Sequence, residues 1–232
     1  MAMPLVTMSL PVNVFMTALV AKAYALPKTT IGLISTLPFL GNFLQIAIAP
    51  PLGRRHPAKV VSIAAAVLHL LSWVFLGAAL PFIPRDNPTV AGHWLVGWFL
   101  VSSILGAIAG VQWNAWVQEW VPYRLRGKFF GRRNGMLQIS TTAFLLGAGW
   151  ALAEWDYAIP VFQLLIAGAV LMRIFSIRWQ WISPTRVRRT IVTPKLPLAD
   201  QIRILLGARS FLRFVAFGAV WSFAAYCFGP FY

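Results

Sequence analysis

The sequence contains few residues of the kinds that build soluble active sites. Its 232 residues include one cysteine, three histidines and five acidic side chains. A single cysteine, Cys227, excludes a disulfide within one chain and a metal site made of several cysteines. The three histidines (His56, His69 and His93) are far apart, and no pair has the helical spacing of metal ligands. We therefore expect no metal ion and no cofactor.

Charged residues of both signs are also scarce, and this scarcity indicates the class of protein. Only 11% of the residues are charged, 59% are hydrophobic, and the mean hydropathy is +0.73. A soluble domain of this composition would expose too much apolar surface to water. Twenty cations against five acids give a net charge of +15, but the cations lie in breaks between apolar runs rather than on one face. The composition predicts an integral membrane protein whose partner is the lipid bilayer, and not a nucleic-acid-binding protein.

The apolar runs predict an all-α membrane fold with three segments. A bundle of six transmembrane helices occupies residues 1–178, a basic cytoplasmic linker with a surface helix occupies 179–209, and a seventh transmembrane helix occupies 210–232. The prolines Pro50 and Pro51 are expected to end the second span, because proline removes a backbone donor. The six spans of the bundle are predicted at approximately 4–26, 30–49, 60–82, 93–120, 134–153 and 159–177.

The cations are distributed unequally between the two sides of the predicted bundle. Apart from Lys22, Lys28 and Arg85, every cation follows or adjoins the end of an even-numbered span. Cytoplasmic loops of membrane proteins are enriched in lysine and arginine. The pattern predicts a multi-pass protein of the plasma membrane or the bacterial inner membrane, with its N-terminus in the cytoplasm.

The stretch 111–136 combines the features that organise the chain. Three tryptophans three and four residues apart, a single carboxylate at Glu119 and the proline Pro122 are followed by a cluster of cations. We interpret this stretch as the cytoplasmic end of the fourth span, a short basic loop and the start of the fifth span.

These motifs resemble the N-terminal half of a major facilitator superfamily transporter. The sequence has Gly53-Arg54-Arg55 after the second span and Pro122-x-x-x-Arg126-Gly127-x-x-x-Gly131 after the fourth. The resemblance covers the whole chain. It implies a second half, which either follows in the same chain or is supplied by a second chain, and we expect the sequence to be truncated.

The sequence departs from the family pattern at three places. Pro50 stands where the family usually has an aspartate, Ser102 and Ser103 lie near the usual place of a buried arginine, and the fifth span has no Gly-Pro pair. These departures weaken an assignment as a proton antiporter.

The resemblance implies a cytoplasmic gate and a central cavity. We expect Glu119 to pair with Arg126, or with Arg54 or Arg55, beside the flexible Gly127; a purely topological role for Glu119 remains the alternative. Polar residues and aromatic rings within spans one, two and four are expected to line the cavity, although bonding between helices would also explain the polar ones and core packing would also explain the tryptophans. The candidate cavity residues are Asn13, Thr17, Asn42, Gln45, Gln112, Trp113 and Trp116.

The predicted function is transport of a small solute, either secondary active or facilitative, by alternating access. No charged residue falls near the middle of the first six predicted spans, which favours either a neutral solute or a coupling charge supplied by a part of the protein outside this sequence. A transporter-like scaffold or receptor is the first alternative. A membrane-embedded enzyme is the second, but it would need reactive groups at one depth, whereas the five acids lie in loops or at helix ends. We therefore expect no enzymatic activity.

Overall fold

The structure is a computed structural model that describes residues 3–9, 13–183 and 198–228. These residues form helices joined by short turns, and no strand occurs among them. The chain divides into two compact units, Met1–Arg186 and Val187–Tyr232. Of the predicted linker 179–209, residues 184–197 lie outside the described residues.

Five stretches of the first unit are long and apolar enough to cross a membrane, namely Lys28–Ile48, Ala58–Phe82, Pro88–Glu119, Tyr123–Glu154 and Ile159–Ile182. This confirms the prediction of an all-helical membrane fold. The described helices of the unit are α1 (Met3–Met8), α2 (Val14–Thr17) with a π-helical continuation (Ala18–Ala23), α3 (Lys28–Arg55), α4 (Ala58–Ala79) with a 3-10 turn (Leu80–Phe82), α5 (Pro88–Trp120), α6 (Tyr123–Glu154) and α7 (Ile159–Ile182).

Helices α3 and α5 pack against each other in parallel through small residues. Near one end Gly92 of α5 faces Thr30 of α3, and in the middle Gly41 of α3 faces the backbone of Ser103. A Cβ atom at Gly41 would lie 2.9 Å from the carbonyl carbon and oxygen of Ser103. Such close approach requires glycine, and it is typical of helix pairs in membranes.

Helix α4 lies between α5 and α7 and is antiparallel to both. Ser62 donates to the carbonyl oxygen of Ala109 of α5 at 3.2 Å, and further along α4 the carbonyl oxygen of Ser72 accepts from the Trp98 indole at 2.7 Å. On the α7 side, the carbonyl oxygen of Gly77 accepts from the Gln163 amide at 2.8 Å. The long helices therefore alternate in direction, as consecutive membrane spans must.

The N-terminal segment runs beside α6. The hydroxyl oxygens of Thr7 and Thr141 are 3.2 Å apart, and Gly149 lies against Val14. Where the sequence predicts one continuous span over 4–26, the helix is interrupted at Asn13, whose backbone is extended (φ −153°, ψ 161°). The first predicted span is therefore a broken helix.

Helix α3 is longer than the sequence predicts. It continues through Pro50 and Pro51 to Arg55, so the expectation that these prolines end the helix is wrong, although the candidate membrane span within it ends at Ile48, close to the predicted end at residue 49. The φ angle of proline fits a helix, and within a membrane bundle the loss of individual backbone bonds is tolerated.

Helix α6 is also longer than the sequence predicts. It begins at Tyr123, so the predicted basic loop after Pro122 forms its first turns. Arginine, lysine and leucine are good helix formers, and the charge pattern obscured this propensity.

Aromatic side chains from four helices form the largest apolar core. Trp73 of α4 is fully buried and packs edge-to-face on Trp98 of α5, with ring centroids 4.8 Å apart. Phe15 of α2 packs edge-to-face on Phe162 of α7 at 5.4 Å. These contacts tie the N-terminal segment to the middle helices of the bundle.

The second unit contains α8 (Leu198–Gly207) and α9 (Arg209–Phe228). Helix α8 covers the predicted surface helix, and α9 covers the predicted seventh span except for 229–232, which lie outside the described residues.

Candidate functional site

The basic end of the bundle is held by contacts between cations and tryptophans. This end is formed by the C-termini of α3, α5 and α7 and the N-termini of α4 and α6. The guanidinium of Arg133 on α6 lies 4.3 Å from the ring centroid of Trp113 on α5. The ammonium of Lys59 on α4 lies 5.7 Å from the Trp116 ring. Both tryptophans were predicted to line the cavity, and the structure places them against cations that link α5 to its neighbours.

Lys59 also binds the C-terminus of α7. Its ammonium donates to the carbonyl oxygens of Trp181 at 2.8 Å and Ser183 at 2.6 Å. The last carbonyls of a helix have no partner within the helix and carry partial negative charge, so a cation is favoured there. One lysine thus joins α4, α5 and α7.

The predicted gate residues lie at the corner between α5 and α6. Arg126 donates to the carbonyl oxygens of Val121 at 3.2 Å and Gln118 at 2.8 Å, which fastens the first turns of α6 to the end of α5. Glu119 is half-buried beside these groups. Among the described side chains, no cation lies within 4.0 Å of the Glu119 carboxylate, so its predicted pairing with Arg126 is not present in this conformation.

The other gate candidates occupy the ends of neighbouring helices. Arg55 is exposed at the end of α3, and the side chain of Arg54 lies outside the described part. Gly127 is exposed on α6, and nothing lies within 4 Å of the position of a Cβ atom there. The small size of Gly127 is therefore not needed for packing within this unit.

Two candidate cavity residues lie at mid-height on α3. Asn42 follows Gly41 at the centre of the helix and is exposed, while Gln45 is half-buried. The Oε1 atom of Gln45 is buried and accepts no hydrogen bond from the described residues. These two residues form a polar patch near the middle of α3.

Gln112 lies nearer the basic end than this patch. It is buried, and its amide nitrogen is 3.2 Å from the position of a Cβ atom on Gly53 of α3. Gly53 lies about 16 Å along the helix axis from Asn42, at 1.5 Å per residue. The structure therefore does not bring Gln112 to the depth of the α3 patch.

Asn13 holds the interruption of the first span together. Its Oδ1 accepts from the backbone N–H of Met16 at 2.9 Å, and its Nδ2 donates to the carbonyl oxygens of Thr7 at 3.2 Å and Met8 at 3.3 Å. Asn13 thus caps α2 and also bonds the end of α1. Thr17, one turn further along, is exposed.

The broken helix lies at the depth of the α3 patch. The hydroxyl oxygen of Ser9 is 3.3 Å from Nε2 of His69 on α4, and His69 in turn packs against Gly106 of α5. Gly106 lies one turn from Ser103, which faces Gly41. The polar groups at mid-depth are therefore the α3 patch, the helix break and His69.

A buried arginine is the residue that the sequence interpretation missed. The sequence indicates no charge near the middle of the first six spans, but Arg173 of α7 is only 8% exposed and lies at mid-depth, so that expectation is wrong. Helix α7 continues to Ile182, beyond the predicted end at 177, which moves Arg173 inward. Its spacing from Ile166, Ala169 and Val170, all buried, would have placed it on the internal face.

The comparisons with known proteins agree with this architecture. The sequence model described as Major Facilitator Superfamily matches residues 3–232. No curated protein and no solved structure gives a significant match. Because the family match covers nearly the entire chain, and because the helices alternate as membrane spans, the chain belongs to the Major Facilitator Superfamily and is a membrane transporter of that type.

Proposed function

We propose that the protein moves a small solute across the membrane by alternating access, through a cavity lined in part by α3. The observation that carries this proposal is the exposed amide of Asn42 at the centre of α3. An exposed polar side chain at this depth is costly in lipid, so such residues normally face a cavity or another helix. The family points to a transporter rather than to an enzyme.

The helix break supports the same location. Binding sites of secondary transporters lie near the bilayer midplane and often use interrupted helices. Ser9, at the end of α1, lies near the depth of Asn42, as the contacts through His69 and Gly106 indicate. Polar groups from the first and second spans thus occur in one layer.

Cysteine labelling tests the cavity without knowledge of the solute. Asn42→Cys in a Cys227→Ser background is expected to react with a membrane-impermeant thiol reagent in both right-side-out and inside-out vesicles. The adjacent Phe43 is 70% exposed and apolar, so Phe43→Cys is the matched lipid-facing control and is expected to remain unlabelled.

The labelling pattern separates transport from the alternatives. Labelling of Asn42→Cys from one face only would indicate a one-sided pocket, as in a scaffold or receptor. Equal labelling of Asn42→Cys and Phe43→Cys would show that no cavity distinguishes the two positions, and the proposal would be wrong.

We infer further that Glu119 acts in the cytoplasmic gate. Arg126 is engaged with backbone carbonyls, and the Glu119 carboxylate has no cation within 4.0 Å among the described side chains. Glu119 is thus available to pair with a guanidinium when the inner side closes, Arg54 and Arg55 being the candidates on α3.

A charge-neutral substitution tests the gate. Glu119→Gln is expected to shift the labelling of Asn42→Cys toward the cytoplasmic face by about twofold or more, because closure of that side loses an ion pair. Glu154→Gln, at the exposed opposite end of α6, is the control and should not shift it. Unchanged labelling in Glu119→Gln, with normal expression, would leave Glu119 a role in topology alone.

A further inference from the structure

Arg173 and His69 lie at a similar depth on α7 and α4, two helices that pack against each other. Two contacts fix the register of this antiparallel pair, Lys59 with the carbonyl of Trp181 at one end and Gly77 with Gln163 at the other. Both Arg173 and His69 lie about midway between these contacts.

The Arg173 side chain is buried, and it has no compensating partner among the described residues. The side chain is 8% exposed, and its Nε atom is buried and donates no hydrogen bond to them. Among the described residues, no carboxylate lies within 4.0 Å of it and no carbonyl accepts from it. A buried guanidinium that lacks both an anion and hydrogen-bond acceptors is strongly unfavourable.

His69 presents a second donor that has no acceptor among the described residues. The side chain is 2% exposed, and its Nε2 accepts from the Trp73 indole N–H at 3.3 Å. An indole nitrogen only donates, so a neutral imidazole must carry its proton on Nδ1. That Nδ1 atom is buried and has no partner among the described residues. Two buried donor groups, on neighbouring helices, therefore lie at mid-depth.

We propose that Arg173 and His69 form a binding site for a small monovalent anion, of the size of chloride or acetate. One anion would neutralise the guanidinium and accept from the imidazole Nδ1–H. The helix break at Ser9, whose hydroxyl lies 3.3 Å from His69 Nε2, provides irregular backbone where such sites occur in transporters. The site does not depend on the proposed transport activity, because an anion can bind in a chain that transports nothing.

Thermal unfolding of the full chain in detergent micelles tests the site. Sodium chloride or sodium acetate is raised from 0 to about 100 mM, while a bulky sulfonate keeps the ionic strength constant. Saturating anion is expected to raise the midpoint of the wild-type protein by about 3 °C or more. The control Arg178→Gln, at an exposed position of the same helix, should respond like the wild type.

Substitution of Arg173 should abolish the response. Arg173→Gln is expected to show no anion dependence and, in the absence of anion, to unfold no earlier than the wild type, because it removes an uncompensated charge. Arg173→Lys retains the charge without the planar donor array, so about tenfold more anion should be needed for half the shift. A wild-type midpoint that does not respond to either anion, or an Arg173→Gln response equal to wild type, would overturn the proposal.

Exchange in proteoliposomes shows whether the bound anion is transported or stays in the protein. Exchange of labelled acetate by wild type, reduced in Arg173→Lys, would show that the site binds a carboxylate in transit. Thermal stabilisation without exchange would show a resident ion that completes the bundle. Either result supports the site, and neither depends on the labelling of Asn42→Cys, so the two proposals can fail separately.

Discussion

The contact between Gly41 and Ser103 predicts a measurable difference between two glycines of one helix. In Gly41→Ala the new Cβ atom would lie 2.9 Å from the carbonyl carbon and oxygen of Ser103, whereas ordinary contacts are 3.4 to 4 Å. Backbone atoms cannot rotate away, so α3 and α5 must separate by about 0.5 to 1 Å, and overpacking of this kind costs about 1–3 kcal/mol.

Gly32 provides the matched control for this substitution. It lies on the same helix, and nothing is within 4 Å of the position of its Cβ atom. Gly32→Ala should raise the free energy of unfolding by up to about 1 kcal/mol, because alanine is the better helix former. The same gain applies to Gly41→Ala and offsets part of its overpacking. The two variants are therefore expected to differ by about 1–3 kcal/mol.

Unfolding in mixed micelles, followed by helical circular dichroism as the fraction of sodium dodecyl sulfate rises, measures this difference. Gly41→Ala should unfold at a lower fraction of sodium dodecyl sulfate than Gly32→Ala. If both variants unfold at the same fraction, or if Gly41→Ala is the more stable, the close parallel packing of α3 on α5 is refuted.

Two further substitutions test contacts elsewhere in the bundle. Lys59→Met removes two charge-assisted hydrogen bonds to carbonyls at the end of α7 and should lower the free energy of unfolding by about 1–3 kcal/mol in the same micelle assay. The control Lys128→Met, at an exposed position of α6, should change the free energy of unfolding little. Tyr24→Phe removes the hydrogen bond of 2.5 Å to the carbonyl of Leu80 and should lower the free energy of unfolding by about 1 kcal/mol. Tyr123 is 84% exposed, so Tyr123→Phe should leave the free energy of unfolding unchanged. Equal effects in the two tyrosine variants would contradict the Tyr24 contact.

The class of the protein could be predicted because the length of an apolar run and its composition determine whether a helix can cross a bilayer. The ends of the helices could not be predicted from the same signal. Pro50 and Pro51 lie inside α3, and the cations after Pro122 lie within α6, because neighbouring helices and helix propensity override local breaking signals.

The candidate site was predictable only in part. Asn42 and Gln45 were recognisable as polar residues within an apolar run, and the structure places both at mid-height on α3. The sequence did not show that Asn13 caps a broken helix, because that role depends on carbonyls exposed by the break. Arg173 has helical spacing from buried apolar residues, which indicates an internal position. This signal was concealed because Arg173 lies close to the predicted end of the span at residue 177.

The way in which the basic end is assembled has a consequence for acid conditions. Among the described residues, Lys59, Arg126 and Arg133 are held there by indole rings and backbone carbonyls, and none of them by a carboxylate. Indole rings and peptide carbonyls do not gain protons in mildly acidic solution. The joints between α4, α5, α6 and α7 should therefore keep their strength at low pH.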